Sequence, residues 1–309
     1  MVPDVSVVIP TKDRPQLVGR AVASALSQEG PSVEVIVVDD GSAPDAAAAV
    51  REVCAQAADR VRYVRNEEPI GNPASRNRGL DEATGRLFCT LDDDDEFLPE
   101  KLAAQIELLE GFDADDVIAV TGVELVWSDG RSLRHLPDLP VPARLDGDID
   151  PFSRLSPRIF LNTFVLPTEL MRSVGGYDPV LRWGEHTDLF LRLQKVARFA
   201  GVPVLGTRVH RDAAPGLARQ AWDRKVVGVE RILEKHADVF ARAPRLRAVW
   251  LDGLGIALLR TGRRRDAAAR FREALRAYPW RPRILRHLVA ATTHTEAVLC
   301  RSRAERVAA

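Results

Sequence analysis

The chain has 309 residues, 46% of them hydrophobic, and equal numbers of basic and acidic side chains. This length and apolar content suit one large domain with a smaller one, and they exclude a disordered or fibrous chain. The charge is unevenly distributed, because residues 241–309 contain sixteen Arg and only five Asp or Glu. That Arg-rich region predicts either a surface that meets phosphates or an anionic membrane, or simply a solvated helix face.

No stretch approaches the roughly 18 consecutive apolar residues of a membrane-spanning helix. The first residues lead directly into a strand-like run and show no basic leader. Cys54, Cys89 and Cys300 are odd in number and widely spaced, so neither a zinc site nor a disulfide framework is indicated. We expect a cytoplasmic protein with at most peripheral contact at the inner membrane face, through the Arg-rich C-terminal region. A homodimer stays open, and no nucleic-acid partner is indicated.

Strand and helix patterns alternate through the first hundred residues. Apolar runs predict strands at residues 5–10, 33–38, 61–64 and 86–91, and helical spacing predicts helices at residues 15–28, 45–58 and 72–83. Nearly continuous apolar strands separated by helices are typical of buried parallel strands. The predicted fold is therefore α/β, with a mainly parallel sheet flanked by helices.

The pattern becomes less regular after residue 100. A helix is predicted at residues 102–109, and strands at residues 117–127 and 131–135 are joined by a hairpin turn. The Pro-rich residues 136–157 predict a long loop, and loops of this length in a compact domain are usually functional or mobile. Strands follow at residues 158–166 and 202–209, with a short helix at 167–174. Only helices are predicted after about residue 218.

An acidic run, Asp92-Asp93-Asp94-Asp95-Glu96, directly follows the fourth predicted strand and precedes a helix that Pro99 is expected to open. Asp39-Asp40 ends the second strand, so we expect both acidic sets to border one crevice at the carboxyl edge of the sheet. Clustered carboxylates there favour Mg²⁺ or Mn²⁺ carrying a phosphorylated ligand, and the alternative is a solvated loop. A P-loop and a G-x-G-x-x-G turn are both missing, which counts against P-loop enzymes and nicotinamide dehydrogenases.

Four segments together resemble family 2 glycosyltransferases of the GT-A fold. They are VSVVIPT at residues 5–11, VVDDGS at 37–42, GNPASRNRG at 71–79 and LDDDD at 91–95. The resemblance extends from about residue 4 to about residue 212. It implies a GT-A catalytic domain at residues 1–215, with a nucleotide-sugar half at about 1–98 and an acceptor half at about 99–215. An all-α region would occupy residues 216–309.

The resemblance also implies roles for individual residues. A nucleotide-diphosphate sugar donor would contact Pro10, Thr11, Asp40, Asn66, Arg76, Asn77, Asp92 and Asp93. Asp92 and Asp94 would form the D-x-D pair that binds the divalent cation, and His210, at the end of a strand, would supply the last metal ligand. Asp93 and Asp95 are also expected to orient loop backbone or ribose. For Arg76, a surface salt bridge is an equally good alternative.

The segment Trp183-Gly184-Glu185-His186-Thr187-Asp188 resembles the family segment in which a Glu-Asp pair opens a helix and the Asp is the general base. His186 stands where that Asp is usual. Its unperturbed pKa of ~6.5 suits removal of a hydroxyl proton at neutral pH. We therefore expect His186 to be the base, with Glu185 and Asp188 as the alternatives.

Residues 246–280 resemble one tetratricopeptide-like helix pair, which is too little for a solenoid. The predicted function is an inverting, metal-dependent glycosyltransferase that moves a sugar to the hydroxyl of a glycan, lipid-linked or small-molecule acceptor. It would act in glycan, cell-envelope polysaccharide or natural-product biosynthesis. One alternative is a GT-A domain that has lost turnover and acts as a scaffold through its helical tail. Nucleotidyl transfer is a second alternative, although the loop after the first strand is not Gly-rich.

Overall fold

The computed structural model describes residues 2–112, 115–137, 143, 161–211 and 219–293. The chain divides into two compact units. The first unit comprises Met1–Val180 with Glu185–Ala214 and is α/β, and the second comprises Leu181–Gly184 with Pro215–Ala309 and is helical over its described residues. This confirms the predicted fold class, an α/β sheet flanked by helices with an all-α C-terminal region.

The first unit begins with four parallel strands joined by three helices. The strands are β1 (Val5–Thr11), β2 (Val33–Asp39), β3 (Val61–Arg65) and β4 (Leu87–Thr90), and the helices are α1 (Pro15–Leu26), α2 (Pro44–Ala55) and α3 (Asn72–Glu82). The strands pair in the order β3-β2-β1-β4. Each helix has a proline in its first turn, where the missing N–H has no helical partner to lose.

The rest of this unit extends the sheet with mixed directions. Its elements are β5 (Glu96–Phe97), α4 (Lys101–Glu110), β6 (Val117–Trp127), β7 (Ser132–His135), β8 (Phe164–Pro167), α5 (Thr168–Ser173), α6 (Glu185–Val196) and β9 (Arg198–Arg211). Beyond β4 the order continues β8-β6-β9-β5, with β7 paired to β6. Strand β8 runs antiparallel to β4 and β6, whereas β6 and β9 are parallel. The sheet is therefore mainly parallel only in its first half.

Two predicted elements begin later than expected, and one predicted loop lies mostly outside the described residues. Leu161–Thr163 form a 3₁₀ turn, so the strand predicted at 158–166 begins only at Phe164, and its first residues lie outside the described part of the chain. The helix expected to open at Pro99 begins at Lys101, because Glu100 adopts a left-handed conformation with φ of 66°. Of the predicted loop at 136–157, only residues 136, 137 and 143 are described.

Alternate side chains of the central strands fill two apolar layers, one on each face of the sheet. Val5, Val7 and Ile9 face the layer that includes α1 and α4, and Val8 faces the layer that includes α3 and α6. Helix α3 lies unusually close to the sheet, since a Cβ at Gly79 would be 2.3 Å from Val8 Cγ1. The glycine therefore sets how deeply α3, and the residues it carries, sits against β1.

The second unit contains five helices among its described residues. They are α7 (Arg219–Lys235), α8 (Ala237–Arg242), α9 (Pro244–Arg260), α10 (Arg264–Ala277) and α11 (Pro282–Thr293). Helices α9 and α10 pack closely, because a Cβ at Gly255 would be 2.4 Å from the Phe271 ring. Trp250 contacts Trp183 and Phe240 edge to face in the core. None of the described helices combines the length and apolarity needed to cross a bilayer.

Candidate active site

Three carboxylates cluster immediately after β4. One oxygen from each of Asp92, Asp94 and Asp95 lies within 4.8 Å of the others. A tight turn, in which the Asp95 N–H donates to the Asp92 carbonyl at 3.1 Å, brings the three side chains together. Because β4 is a buried strand paired with β1, the cluster lies at the carboxyl edge of the sheet, as predicted.

Asp95 is the member of this cluster that the sequence did not assign to metal binding. It accepts hydrogen bonds from Asn162 Nδ2 at 2.7 Å and from the His210 backbone N–H at 3.1 Å. Burial and the charges of Asp92 and Asp94 raise the pKa of Asp95 to about 8. A divalent cation would offset this repulsion, and carboxylate oxygens are the ligands that Mg²⁺ and Mn²⁺ prefer. The three acids fit such an ion.

His210 lies outside this cluster. Its Nε2 is 2.7 Å from Glu96 Oε1, and Glu96 is also 3.5 Å from Arg20 Nε. Strand β9 extends to Arg211, so His210 is a strand residue whose backbone, rather than its ring, contacts Asp95. The contact with Glu96 holds the imidazole away from the three clustered carboxylates, which argues against the expected role of His210 as the last metal ligand.

The two acidic strand ends border β1 rather than each other. Strands β2 and β4 both pair with β1, one on each side of it, so β1 separates the two acidic strand ends. Pro10 and Thr11, which end β1, are buried between them. Thr11 Oγ1 donates to Asp93 Oδ2 at 2.7 Å, and Arg14 Nη1 lies 3.2 Å from Asp93 Oδ1 and 3.3 Å from Asp94 Oδ2. Asp93 therefore joins the acidic turn to the end of β1.

Asp40 holds the loop between β3 and α3 in place. Its carboxylate accepts hydrogen bonds from Asn66 Nδ2 and Ser75 Oγ and from the backbone N–H groups of Ile70 and Gly71, at 2.8 to 3.0 Å. Burial alone would raise the pKa of Asp40, but these donors lower it below its usual value. Asn66 accepts a further bond from Arg78 at 2.6 Å. Asp40 and Asn66 thus shape this wall of the crevice.

Arg76 connects the donor-side acids to the start of α6. Its side chain is only 2% exposed, with Nη2 2.6 Å from Asp92 Oδ1 and Nη1 3.6 Å from Glu185 Oε1. The guanidinium lies over the Tyr177 ring at 5.2 Å. Burial alone would lower the pKa of Arg76, but Asp92, Tyr177 and Glu185 raise it. Because Arg76 is buried, the surface-salt-bridge alternative is wrong.

Arg76 also keeps unused donors. Its Nε and Nη1 have no hydrogen-bond partner among the described residues, although both are buried. A buried guanidinium with free N–H groups carries a substantial desolvation cost unless a ligand meets it. The neighbouring Asn77 differs, because its amide donates to the Tyr177 carbonyl at 2.8 Å and accepts from the Tyr177 N–H at 2.7 Å. Asn77 therefore fixes the backbone of Tyr177, and its amide group is already occupied rather than free to bind the sugar donor.

His186 and Glu185 begin α6 beside Arg76. His186 Nε2 is buried without a hydrogen bond to any described residue and lies 3.9 Å from Glu185 Oε1, while about a third of the His186 side chain stays exposed. Burial and the Arg76 guanidinium lower the pKa of His186 below its usual value. The imidazole is therefore neutral at pH 7, which is the state that a general base requires.

Asp188 has a different environment from His186. Its side chain is fully buried and lies 2.8 Å from Arg192 Nη2. Arg192 also donates to the carbonyls of Val174 and Gly176, which fastens α6 to the preceding turn. A fully buried carboxylate held by an arginine is poorly placed to reach an acceptor hydroxyl. The geometry thus argues against Asp188 as the base.

Three contributors to the site were not predicted: Arg14, Tyr177 and, as a cluster member, Asp95. Arg14 follows β1 in the segment Thr11-Lys12-Asp13-Arg14. Its closeness to the acids could have been inferred, because the segments that follow the parallel strands meet at the carboxyl edge of the sheet. Tyr177 supports the Arg76 guanidinium and lies 6.2 Å from the His186 ring. No sequence pattern signals that contact, because it depends on how α3 and α6 pack.

This mixed sheet, flanked by helices and carrying acids at its carboxyl edge, is a GT-A-type fold. The fold occurs in the solved structure of S. aureus TarS 1–349 in complex with UDP-GlcNAc, which matches 99% of this chain and 92% of that chain with a TM-score of 0.62 at 15% identity. The family model for glycosyl transferase family 2 matches residues 6–161, half of the chain. The chain belongs to this family, as the four sequence segments predicted.

Curated relatives give the same family over part of their length. The succinoglycan biosynthesis protein ExoO of Rhizobium meliloti is 36% identical over 197 residues, which cover 60% of this chain and 53% of ExoO. A GalNAc(5)-diNAcBac-PP-undecaprenol beta-1,3-glucosyltransferase of Campylobacter jejuni is 35% identical over 106 residues, 34% of each protein. The chain thus spans about half of ExoO and a third of the second relative.

Proposed function

We propose that this protein is an inverting, metal-dependent glycosyltransferase that moves a sugar from a nucleotide-diphosphate sugar to an acceptor hydroxyl. The observation that carries the proposal is one constellation: the Asp92, Asp94 and Asp95 carboxylates, joined through buried Arg76 and then Glu185 to the imidazole of His186. Metal-binding acids next to a potential base are what single-displacement glycosyl transfer needs. The nucleotide-sugar complex of TarS supports the donor class.

The divalent cation would be held by the carboxylates of Asp92, Asp94 and Asp95. His210 contacts Glu96 instead and has no metal role in this proposal. When bound, Mn²⁺ or Mg²⁺ supplies positive charge that stabilises the diphosphate leaving group. Arg76 positions Asp92 and, with Tyr177 beneath its guanidinium, keeps that carboxylate ionised. The Nε and Nη1 donors of Arg76 are buried without a hydrogen bond to any described residue.

His186 is the general base in this proposal. With Nε2 turned toward Glu185, Nδ1 is the nitrogen left to accept the proton of the acceptor hydroxyl. The acceptor oxygen forms a bond to the anomeric carbon while the bond from that carbon to the diphosphate oxygen breaks on the opposite face, and the electron pair leaves with the nucleoside diphosphate. The Glu185 carboxylate stabilises the imidazolium that forms. A single displacement inverts the anomeric configuration.

The acceptor class follows from chemistry and similarity together. The names of the relatives support assembly of a bacterial polysaccharide or of a glycan built on a polyprenyl diphosphate lipid. We propose a glycan or lipid-linked acceptor rather than a small natural product. The protein would then act in the cytoplasm, where nucleotide sugars are available.

A donor screen tests the proposal. UDP-, GDP- and dTDP-sugars are incubated with the full chain, with and without Mn²⁺, and hydrolysis and calorimetric binding are measured. We expect at least one donor to bind and to be hydrolysed slowly, and Mn²⁺ to be required. If no donor is bound or hydrolysed in either condition, enzymatic glycosyl transfer is wrong and the scaffold hypothesis replaces it.

A further inference from the structure

Helix α11 carries apolar side chains on both of its faces. Its inner face, with Ile284, His287, Ala290 and Ala291, is buried against the helical unit. Leu285 and Val289, one turn apart, are 54% and 46% exposed on the outer face. Trp280, two residues before the helix, is 81% exposed. Tryptophan is rarely so exposed in a water-soluble surface, since its ring adds much apolar area.

The same helices are strongly basic. Residues 261–293, which cover α10 and α11, contain nine Arg and two acidic residues, with no Lys. Arg276, Arg281 and Arg286 form no ion pair within the described part of the chain, whereas Arg247 and Arg270 of the same unit both pair with Glu273. The cationic groups near Trp280 therefore remain available to an anionic partner.

We propose that the Trp280 face, defined as Trp280, Leu285 and Val289 with Arg281 and Arg286, docks on an anionic lipid membrane. Tryptophan prefers the boundary between headgroups and acyl chains, and α11, which begins two residues after Trp280, adds the exposed aliphatic side chains of Leu285 and Val289. The guanidinium groups match lipid phosphates. The Trp280 face makes the membrane contact peripheral, and it does so independently of the proposed sugar transfer.

The charge and the side-chain chemistry of the Trp280 face disfavour a second copy of the chain or a nucleic acid as its partner. A symmetric dimer through this face would bring two Arg-rich surfaces together, and like charges repel across such an isologous contact. A nucleic acid would use the arginines and stack a base on Trp280, but it would offer no apolar surface to Leu285 and Val289. A lipid surface uses both the apolar and the cationic side chains.

Vesicle binding of the full chain tests this docking. The protein is mixed with phosphatidylcholine vesicles, or with vesicles that contain about 30% phosphatidylglycerol, and co-flotation is measured at low and high salt. We expect binding only to the anionic vesicles, and its loss as NaCl rises from about 0.1 to about 0.5 M. Trp280→Ala should weaken binding by about fivefold or more. Loss of one arginine charge should lower the affinity for anionic vesicles roughly fivefold, so the double variant Arg281→Glu, Arg286→Glu should lower that affinity by at least about 25-fold.

Matched variants test whether vesicle binding needs the Trp280 face in particular, or only an exposed apolar side chain or a positive charge anywhere in the helical unit. Val227→Ala removes a 56% exposed apolar side chain from α7, and Arg245→Glu reverses an exposed charge at the start of α9. Both controls should bind anionic vesicles like the unmodified chain. The proposal is overturned if the unmodified chain ignores anionic vesicles at low salt, or if the Trp280 and double Arg variants bind equally well. A dimer abolished by Trp280→Ala, or RNA binding, without vesicle binding would also overturn it.

Discussion

The helical unit and the α/β unit each place an acid next to a histidine, buried in the first and partly exposed in the second, and the two arrangements differ in how completely their groups are paired. In the helical unit, His287 Nδ1 lies 2.6 Å from Asp252 Oδ1, and Arg283 Nε lies 3.7 Å from the other oxygen. In the α/β unit, His186 Nε2 is 3.9 Å from Glu185 and makes no hydrogen bond to a described residue.

The difference separates stability from chemistry. Asp252 and His287 satisfy each other, which lets α9 and α11 pack with little desolvation cost. Around Arg76, His186 and Asp95, by contrast, buried donors stay unused and one carboxyl group has its pKa raised to about 8. Groups left in this condition in a folded protein are typical of sites that await a ligand.

The largest expected effect comes from the acid cluster. Asp94→Asn, or removal of divalent cations with EDTA, should lower kcat by about a thousandfold, because the leaving diphosphate loses its counter-charge. Mn²⁺ should restore the EDTA-treated protein but not the variant. Asp252→Asn is the matched control, with kcat near that of the unmodified chain and an unfolding free energy lower by about 1 to 3 kcal/mol. Full turnover by Asp94→Asn would contradict the metal assignment.

Loss of the imidazole should come next. His186→Ala should lower kcat by about 10² to 10⁴-fold, since the acceptor hydroxyl loses its base, while calorimetric donor affinity stays nearly unchanged. His186→Asp, which restores the usual family residue, should recover part of the activity. An alanine variant that retains its turnover would remove His186 from the mechanism. His287→Ala, in the paired cluster, should affect thermal stability alone.

Arg76→Met should lower kcat/KM by about 10- to 100-fold, because Asp92 loses the cation that keeps it ionised and in place. Arg76→Lys should retain part of the charge effect but not the bridge to Glu185. The matched control is Arg247→Met, which removes the half-exposed pair with Glu273 and should change stability by less than about 1 kcal/mol. Equal activities of Arg76→Met and Arg247→Met would show that Arg76 only fills space.

The smallest effect is a shift in pH profile. Burial and Arg76 lower the pKa of His186, so the neutral, basic form persists as the pH falls below about 6.5. The acidic limb in the plot of log kcat/KM against pH should therefore have its midpoint below pH 6.5. In Arg76→Met one lowering influence is gone, and the acidic limb should move to higher pH. An unmodified enzyme that loses half its activity well above pH 6.5 would contradict this.

The fold was largely predictable because its signals are local. Continuous apolar runs ending in acids identified β1 to β4 and their common edge, and four ordered segments identified the family. The start of β8 was placed too early, because Leu161, Asn162 and Thr163, which precede the apolar residues Phe164–Leu166, form a 3₁₀ turn instead of extending the strand. The site was less predictable. Whether Asp95 joins Asp92, or His210 turns to Glu96, depends on the register between β5 and β9.

Gly79 shows how one backbone position links these features. Because Gly79 lies so close to Val8, α3 cannot pack nearer to the sheet, and any side chain at position 79 would push it away. Helix α3 carries both Arg76 and Asn77. Gly79→Ala alone should therefore cost about 1 to 3 kcal/mol by overpacking. In evolutionary terms, positions 8 and 79 form one inherited unit: descendants that gain a side chain at 79 should do so after position 8 has become smaller, as in Val8→Ala.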